Sequence, residues 1–182
     1  MENRAYQRKR LRMLAKLVIG PDVLDIGYAG HPLPGLGAMR VVGVDIIHPL
    51  YPCDYAEKIL GDAHDLRSLL GPRRFNTIVL GDLIEHIEAP YAFLRSLHAF
   101  MAPPGRLLLS TPNPLGFPNV FCEILGTERY FYEPAHRFEL PERWVRRMLT
   151  LSGYEVLAAK SVGLNLLYFA PPSPRFKSYQ LN

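Results

Sequence analysis

Apolar and polar positions along this chain switch between a period of two and a period of about 3.6, and the order of the switches is informative. Short apolar runs bounded by glycine, proline or acid predict strands at Asp22–Ile26, Met39–Asp45, Glu57–Leu60, Phe75–Leu80 and Arg106–Ser110. Tyr154–Ser161 and Leu164–Ala170 predict a late pair joined at Gly163. Helical spacing predicts a helix over Glu88–Met101, with Phe93, Leu94, Leu97, Phe100 and Met101 recurring along it. Pro90 suits its first turn, and Pro103, Pro104 and Gly105 stop it. Pro141–Ser152 carries Trp144, Val145, Met148 and Leu149 on one face, with Gly153 as terminator. Residues 1–19 predict a basic amphipathic helix with Leu11, Leu14, Ala15 and Val18 on the buried side. Strands alternating with helices imply an α/β fold, a mostly parallel sheet of about seven strands with helices on both faces. The 182 residues fit a single domain. Such sheets bind ligands beyond the carboxyl ends of the strands, where the strand order reverses.

Two segments break the rhythm. His31–Ala38 stands where the first crossover helix belongs, yet Pro32, Pro34, Gly35 and Gly37 oppose a regular helix there. Residues 111–139 form a long insertion rich in proline, glycine and aromatics, with a short helix expected at Pro118–Leu125. Insertions of this kind beyond strand ends serve as lids or substrate loops. The tail over 171–182 is Pro-rich and polar, and is expected to be flexible.

Composition narrows the class. No apolar run reaches the roughly 20 residues that span a bilayer, and the charged N-terminus does not read as a signal peptide. Two cysteines, Cys53 and Cys122, give neither a disulfide framework nor metal spacing, so a reducing cytoplasm is the expected setting. The net charge of +4 comes from one place. Arg4, Arg8, Lys9, Arg10, Arg12 and Lys16 face a single acid, Glu2, while the rest of the chain carries 15 basic and 16 acidic residues. That segment reads as the solvated face of a helix, with nucleic acid as the alternative partner.

The chemistry gathers after the strands. The first strand runs into Val23–Gly30, VLDIGYAG, where glycine permits positive φ and leaves no Cβ between backbone and ligand. Asp45 ends the second strand, about 20 residues on, the spacing of an acid that accepts hydrogen bonds from ribose hydroxyls. Asp62-Ala63 follows the third strand, where an Asp can receive an adenine amino group or cap a helix. Gly81-Asp82 follows the fourth strand, with Glu85-His86 just beyond.

Taken in order, Asp25-Ile26-Gly27-Tyr28-Ala29-Gly30, Asp45, Asp62-Ala63, Phe75-Asn76, Ile84-Glu85-His86, Gly105-Arg106-Leu107, Thr111-Pro112-Asn113 and His136-Arg137-Phe138 resemble the class I S-adenosylmethionine-dependent methyltransferases, especially the small-molecule branch of the ubiquinone-biosynthesis type. The resemblance spans residues 20–160. It implies a Rossmann-like methyltransferase fold, S-adenosylmethionine as cofactor with S-adenosylhomocysteine as its product, and a small-molecule acceptor. It assigns cofactor contacts to Asp25, Gly27, Tyr28, Ala29, Asp45, Ile46, Asp62, Ala63, Gly81 and Asp82. His86 and His136 are the candidate bases, with His64 behind them, since histidine titrates near neutral pH. Phe117, Phe121, Tyr130, Phe131, Tyr132 and Phe138 are candidates to wall a substrate pocket. No metal-ligand motif joins His31, His64, His86 and His136, and no metal is expected.

The chain departs from the family pattern at Ala29 and His31, which stand in place of glycines, and at Asn76, which replaces an Asp. His31 places a ring where the methionine end of the cofactor passes. Two rival readings follow. One is a catalytically silent methyltransferase-like binding domain with weakened or lost cofactor binding. The other is a NAD-type oxidoreductase, which needs a helix after the glycine turn where Pro32 and Pro34 stand.

Overall fold

A computed structural model of the protein describes residues 4–126, 135–162 and 165–172. Strands β1 (Asp22–Ile26), β2 (Arg40–Asp45), β3 (Glu57–Leu60), β4 (Phe75–Gly81), β5 (Met101–Pro112), β6 (Ala158–Val162) and β7 (Asn165–Ala170) form one sheet in the order β3-β2-β1-β4-β5-β7-β6. The first five pair in parallel, and β7 runs antiparallel to both β5 and β6. The chain starts at the centre, walks outward through β2 and β3, then returns to the other side of β1 at β4. In sheets of this order, the crevice that holds a ligand lies where such a reversal falls, here at the carboxyl ends of β1 and β4.

Period-two alternation sorts the strand residues into two cores. Leu24, Ile26, Val42, Val44, Ile78, Leu80, Leu107 and Leu109 cluster on one face. Helices α2 (Leu66–Leu70), α3 (Pro90–Ser96) and α5 (Glu142–Leu151) cover it with Leu66, Leu70, Phe93, Leu94, Val145, Met148 and Leu149. Val23, Val41, Val79, Leu108 and Leu167 cluster on the other face. There the cover is α1 (Arg4–Leu17), through Leu14, together with the 31–38 segment, through Leu33 and Leu36. That segment is irregular, as its prolines predict, and its two buried leucines do the covering that a helix would do.

Several predicted elements need correction. The long helix over Glu88–Met101 is α3 followed by a 3₁₀ turn over Leu97–Phe100. The fifth strand begins at Met101, which pairs with Phe75 across a register shift, instead of at Arg106. Strand β6 starts at Ala158, because Tyr154 buries its ring against His98 and makes only an isolated bridge to Pro172. The short helix of the insertion, α4 (Phe117–Ile124), sits one residue earlier than expected. Gly163, Tyr130, Phe131, Tyr132 and the tail beyond Pro172 lie outside the described residues. Among the described residues, no helix is long and apolar enough to cross a membrane.

Candidate functional site

The turn after β1 is held from several sides. Gly27 takes φ +78, a left-handed conformation that suits glycine, and its N–H donates to the Val44 carbonyl of β2. Asp45, at the end of β2, accepts the Ala29 N–H at 2.8 Å and the Ile47 N–H at 3.2 Å. A carboxylate offers about four acceptor positions, so Asp45 keeps capacity for further donors. Ile46 beside it is 68% exposed, an apolar side chain at the mouth of the crevice that the fold does not bury.

Three of the predicted contact residues turn inward. Tyr28 and Ala29 are buried, and the Tyr28 ring lies over Gly43, where an added Cβ would come within 2.6 Å of Cε1. These side chains shape the turn from below and do not line the crevice. Asp25 is 3% exposed and accepts the Tyr55 hydroxyl at 2.5 Å. Burial pushes its carboxyl up to about 7. Its carboxylate is thus committed within the protein. Asp62 is exposed and caps the 3₁₀ turn Ala63–Asp65 by accepting the His64 N–H at 2.8 Å, while Ala63 is half-buried next to it. The His64 ring meets the Phe93 ring edge-on. Asn76 is structural, accepting the Asp22 N–H at 3.2 Å.

The second half of the crevice lies after β4, and here a residue read as solvated proves to be buried. Arg10, on α1, is fully buried. Its Nη1 donates to Ser110 Oγ at 2.7 Å and pairs with Asp82 Oδ1 at 3.2 Å, and its Nε donates to Gln7 Oε1 at 2.8 Å. Nη2 has no hydrogen-bond partner. The guanidinium passes beside Gly81, whose missing Cβ would sit 3.5 Å from Nη1. Asp82 holds φ +53, tolerable for an Asp, while its carboxylate accepts the Ser110 hydroxyl at 2.8 Å. In sequence, Arg10 is one base among six in a basic segment, and only its position on the apolar side of the helix, three residues before Met13 and four before Leu14, hinted otherwise.

Beyond Asp82, a 3₁₀ turn over Ile84–His86 presents Glu85 and His86. Glu85 is buried; Oε2 accepts the Thr111 hydroxyl at 3.1 Å, Oε1 has no partner, and its backbone carbonyl accepts the N–H groups of Arg137 and Phe138. Burial and the nearby Asp82 charge raise its carboxyl well above the usual range. These bonds draw the end of the insertion over the crevice, so His86 and His136, far apart in sequence, meet with ring centroids 4.7 Å apart. His86 Nδ1 lies 3.1 Å from the Ala135 carbonyl. A carbonyl only accepts, so Nδ1 carries the proton and Nε2 is the basic nitrogen. Atoms of Glu85, His86 and His136 lie within 4.8 Å of one another, a proximity that sequence spacing did not reveal.

His136 and Phe138 also line a small concavity with Thr111, Pro112, Asn119 and Leu140. The other described aromatics of the insertion do not wall it. Phe117 and Phe121 stack on each other, 81% and 50% exposed.

A family model described as a methyltransferase domain matches residues 1–159. A ubiquinone biosynthesis O-methyltransferase of Pseudomonas aeruginosa is 29% identical over 120 residues, 60% of this chain and 51% of the relative. The chain thus spans about half the length of the curated relatives it matches. Among solved structures, magnesium protoporphyrin IX methyltransferase from Synechocystis PCC 6803, with bound S-adenosylhomocysteine, superposes with TM-score 0.70 at 18% identity, covering 93% of this chain and 85% of that one. The 1,6-didemethyltoxoflavin-N1-methyltransferase of Burkholderia thailandensis gives TM-score 0.67 at 19% identity, covering 94% and 80%. The strand order and the family match together mean that the chain belongs to the methyltransferase-domain family.

Proposed function

We propose that the protein is an S-adenosylmethionine-dependent methyltransferase acting on a small-molecule acceptor. The observation that carries this is the set of groups at the strand reversal: Gly27, Asp45 and Asp82 gather there with a buried guanidinium whose Nη2 has no partner. An orphaned buried donor costs about 1–3 kcal/mol, and the carboxylate of an amino-acid moiety would satisfy it. The residues therefore fit the cofactor. Arg10 would hold its carboxylate, Asp45 the ribose hydroxyls, Ile46 a face of the adenine, and Asp62 with Ala63 the adenine edge. Tyr28, Ala29 and Asp25 act from beneath the turn.

When bound, S-adenosylmethionine supplies a sulfonium methyl for transfer to an acceptor nucleophile. His86 Nε2 receives the proton that the acceptor gives up, and the Ala135 carbonyl holds the ring in the required tautomer. His136, packed edge-on against it, limits the ring's rotation. Phe138 and the neighbouring residues 135–139, held to the Glu85 carbonyl, exclude water over the reacting groups. A cytoplasmic setting suits Cys53 and Cys122, which form no disulfide.

Calorimetry and thermal melts with S-adenosylmethionine and S-adenosylhomocysteine test the reading. Ligand at 100 times its dissociation constant is expected to raise stability by about 2.7 kcal/mol. No heat and no shift at millimolar ligand would reject it in favour of a silent binding domain. Exposed Arg8, Lys9, Arg12 and Lys16 on α1 serve solubility in this reading, and RNA binding that persists at moderate salt would count against it.

A further inference from the structure

The segment that replaces the first crossover helix raises a question of hydrogen-bond accounting. Pro32 and Pro34 have no N–H, so the donor between them, Leu33, cannot join a helical ladder. Leu33 is 5% exposed, and a buried N–H needs an acceptor. It finds the Tyr55 hydroxyl oxygen at 2.7 Å. The Tyr55 proton then needs an acceptor of its own and finds Asp25 at 2.5 Å. Tyr55 comes from the β2–β3 connection, and its ring lies 5.1 Å from that of Tyr28. One side chain thus ties three things together: the last turn of β1, the proline-rich segment, and the residue at the centre of the glycine turn. The short link from Gly30 to Leu33 is braced at its start by the His31 N–H on the Tyr28 carbonyl.

We infer that Tyr55 is a positioning residue for the cofactor: its hydroxyl, bridging Asp25 and Leu33, does the work of the absent helix by fixing residues 31–38 against β1 and so setting the shape of the Gly27–Gly30 turn. This rests on the functional reading above. The Leu33 N–H also acts on the buried Asp25 carboxyl, so the Tyr55 hydroxyl and this N–H together hold it.

Tyr55→Phe keeps the ring contact and removes both hydroxyl hydrogen bonds, leaving the Leu33 N–H only the Asp25 carboxyl. Three measurements define the test: hydrogen exchange at the Leu33 amide, calorimetric Kd for S-adenosylhomocysteine, and the split of KM for S-adenosylmethionine against kcat. The expected result is faster exchange at Leu33, a Kd and KM about five- to thirtyfold higher, and kcat retained at saturation, as the loss of one or two hydrogen bonds implies. Asp25→Asn keeps an oxygen to accept the Tyr55 proton and is expected to preserve the slow exchange of Leu33. Should Tyr55→Phe fail to fold, Tyr55→Leu, which keeps an apolar side chain and removes the hydroxyl, is expected to give the same pattern. Faster exchange with an unchanged Kd would make the bridge purely structural and overturn the inference, as would a fall in kcat at constant KM. No binding by the wild type refutes the functional reading and this inference with it, whereas equal binding by wild type and Tyr55→Phe refutes this inference alone.

Discussion

Replacing Arg10 with methionine separates its two proposed roles. Methionine keeps an unbranched stem against the apolar surroundings and removes the charge. Breaking a fully buried ion pair costs about 3–5 kcal/mol. Here the cost is smaller, because the Asp82 side chain is 21% exposed and water can take up its released oxygen. The variant also removes an unsatisfied Nη2, which offsets about 1–3 kcal/mol of the loss. A net destabilisation below about 3 kcal/mol is expected, and the fold should persist. Binding should change more selectively. A hydrogen bond to a charged group is worth about 1.5–3 kcal/mol, which is about a 10- to 140-fold rise in Kd. Calorimetry with two ligands side by side isolates this effect. S-adenosylhomocysteine carries the amino-acid end and 5′-methylthioadenosine lacks it, so Arg10→Met should weaken the first and spare the second. An equal loss for both ligands would mean that the site has collapsed, and no loss for either would mean that Arg10 only braces β5 against α1. Both outcomes would refute the assignment of Arg10 to the carboxylate.

Three further outcomes are expected. The Asp25 carboxyl is raised in the folded state to about 7 from 3.8, so the native state holds a proton that the unfolded state has lost across that interval. Stability should therefore fall as pH rises from about 4 to about 7, by about 4 kcal/mol, and urea melts of Asp25→Asn should have a shallower slope, the remainder belonging to Glu85, which is raised too. His86→Gln should lower kcat by about 10²–10⁴-fold with little change in Kd for S-adenosylhomocysteine, and a kcat within threefold of wild type would move the base elsewhere. Asp45→Asn keeps an oxygen for the Ala29 N–H, so circular dichroism should stay unchanged while Kd for S-adenosylhomocysteine rises by tenfold or more; an unchanged Kd would make Asp45 a brace of the turn only.

The sheet was legible where burial on both faces wrote continuous apolar runs. Strand β1 keeps its predicted ends and β4 gains only Gly81, whereas β3, a half-exposed edge strand, was marked by its position between turns and not by a buried run. Legibility failed where one residue type carries two meanings. Pro103 and Pro104 read as a stop, yet β5 passes through them at a bulge, since proline is tolerated where the ladder is already interrupted. Tyr154 fits a strand pattern but spends its ring on His98 and its hydroxyl on the Leu94 carbonyl. The site divides in the same way. Asp45, Asp62 and His86, the residues proposed to act at the site, stand where spacing after the strands put them. Arg10 and Tyr55 have no such signal, because their partners Ser110, Asp82, Asp25 and Leu33 come from other elements and no local pattern records such a meeting. The side chains of Tyr28 and Asp25 are buried, so any part they play at the glycine turn is through the backbone or the packing beneath it.

On the proposed function, the burial of Arg10 makes up for the absent first crossover helix. A helix N-terminus beside the glycine turn would present about half a positive charge, worth about 0.3–1 kcal/mol to an anion nearby. The 31–38 segment presents no such end, because its prolines prevent the helix and its one central donor, Leu33, is spent on Tyr55. A site that holds the cofactor's carboxylate, as proposed, then draws its positive charge from elsewhere. Arg10 brings a full guanidinium to the carboxyl end of β4, next in the sheet to β1, with one nitrogen unpartnered, and a charged hydrogen bond, about 1.5–3 kcal/mol, exceeds that helix contribution. The substitution also changes what cofactor binding must organise. A helix dipole is built in once the helix folds, whereas Arg10 depends on α1 docking through Leu14 and on Ser110 and Asp82 to aim it. Detaching α1, for example with Leu14→Asp, should therefore abolish recognition of the amino-acid end even if the glycine turn survives.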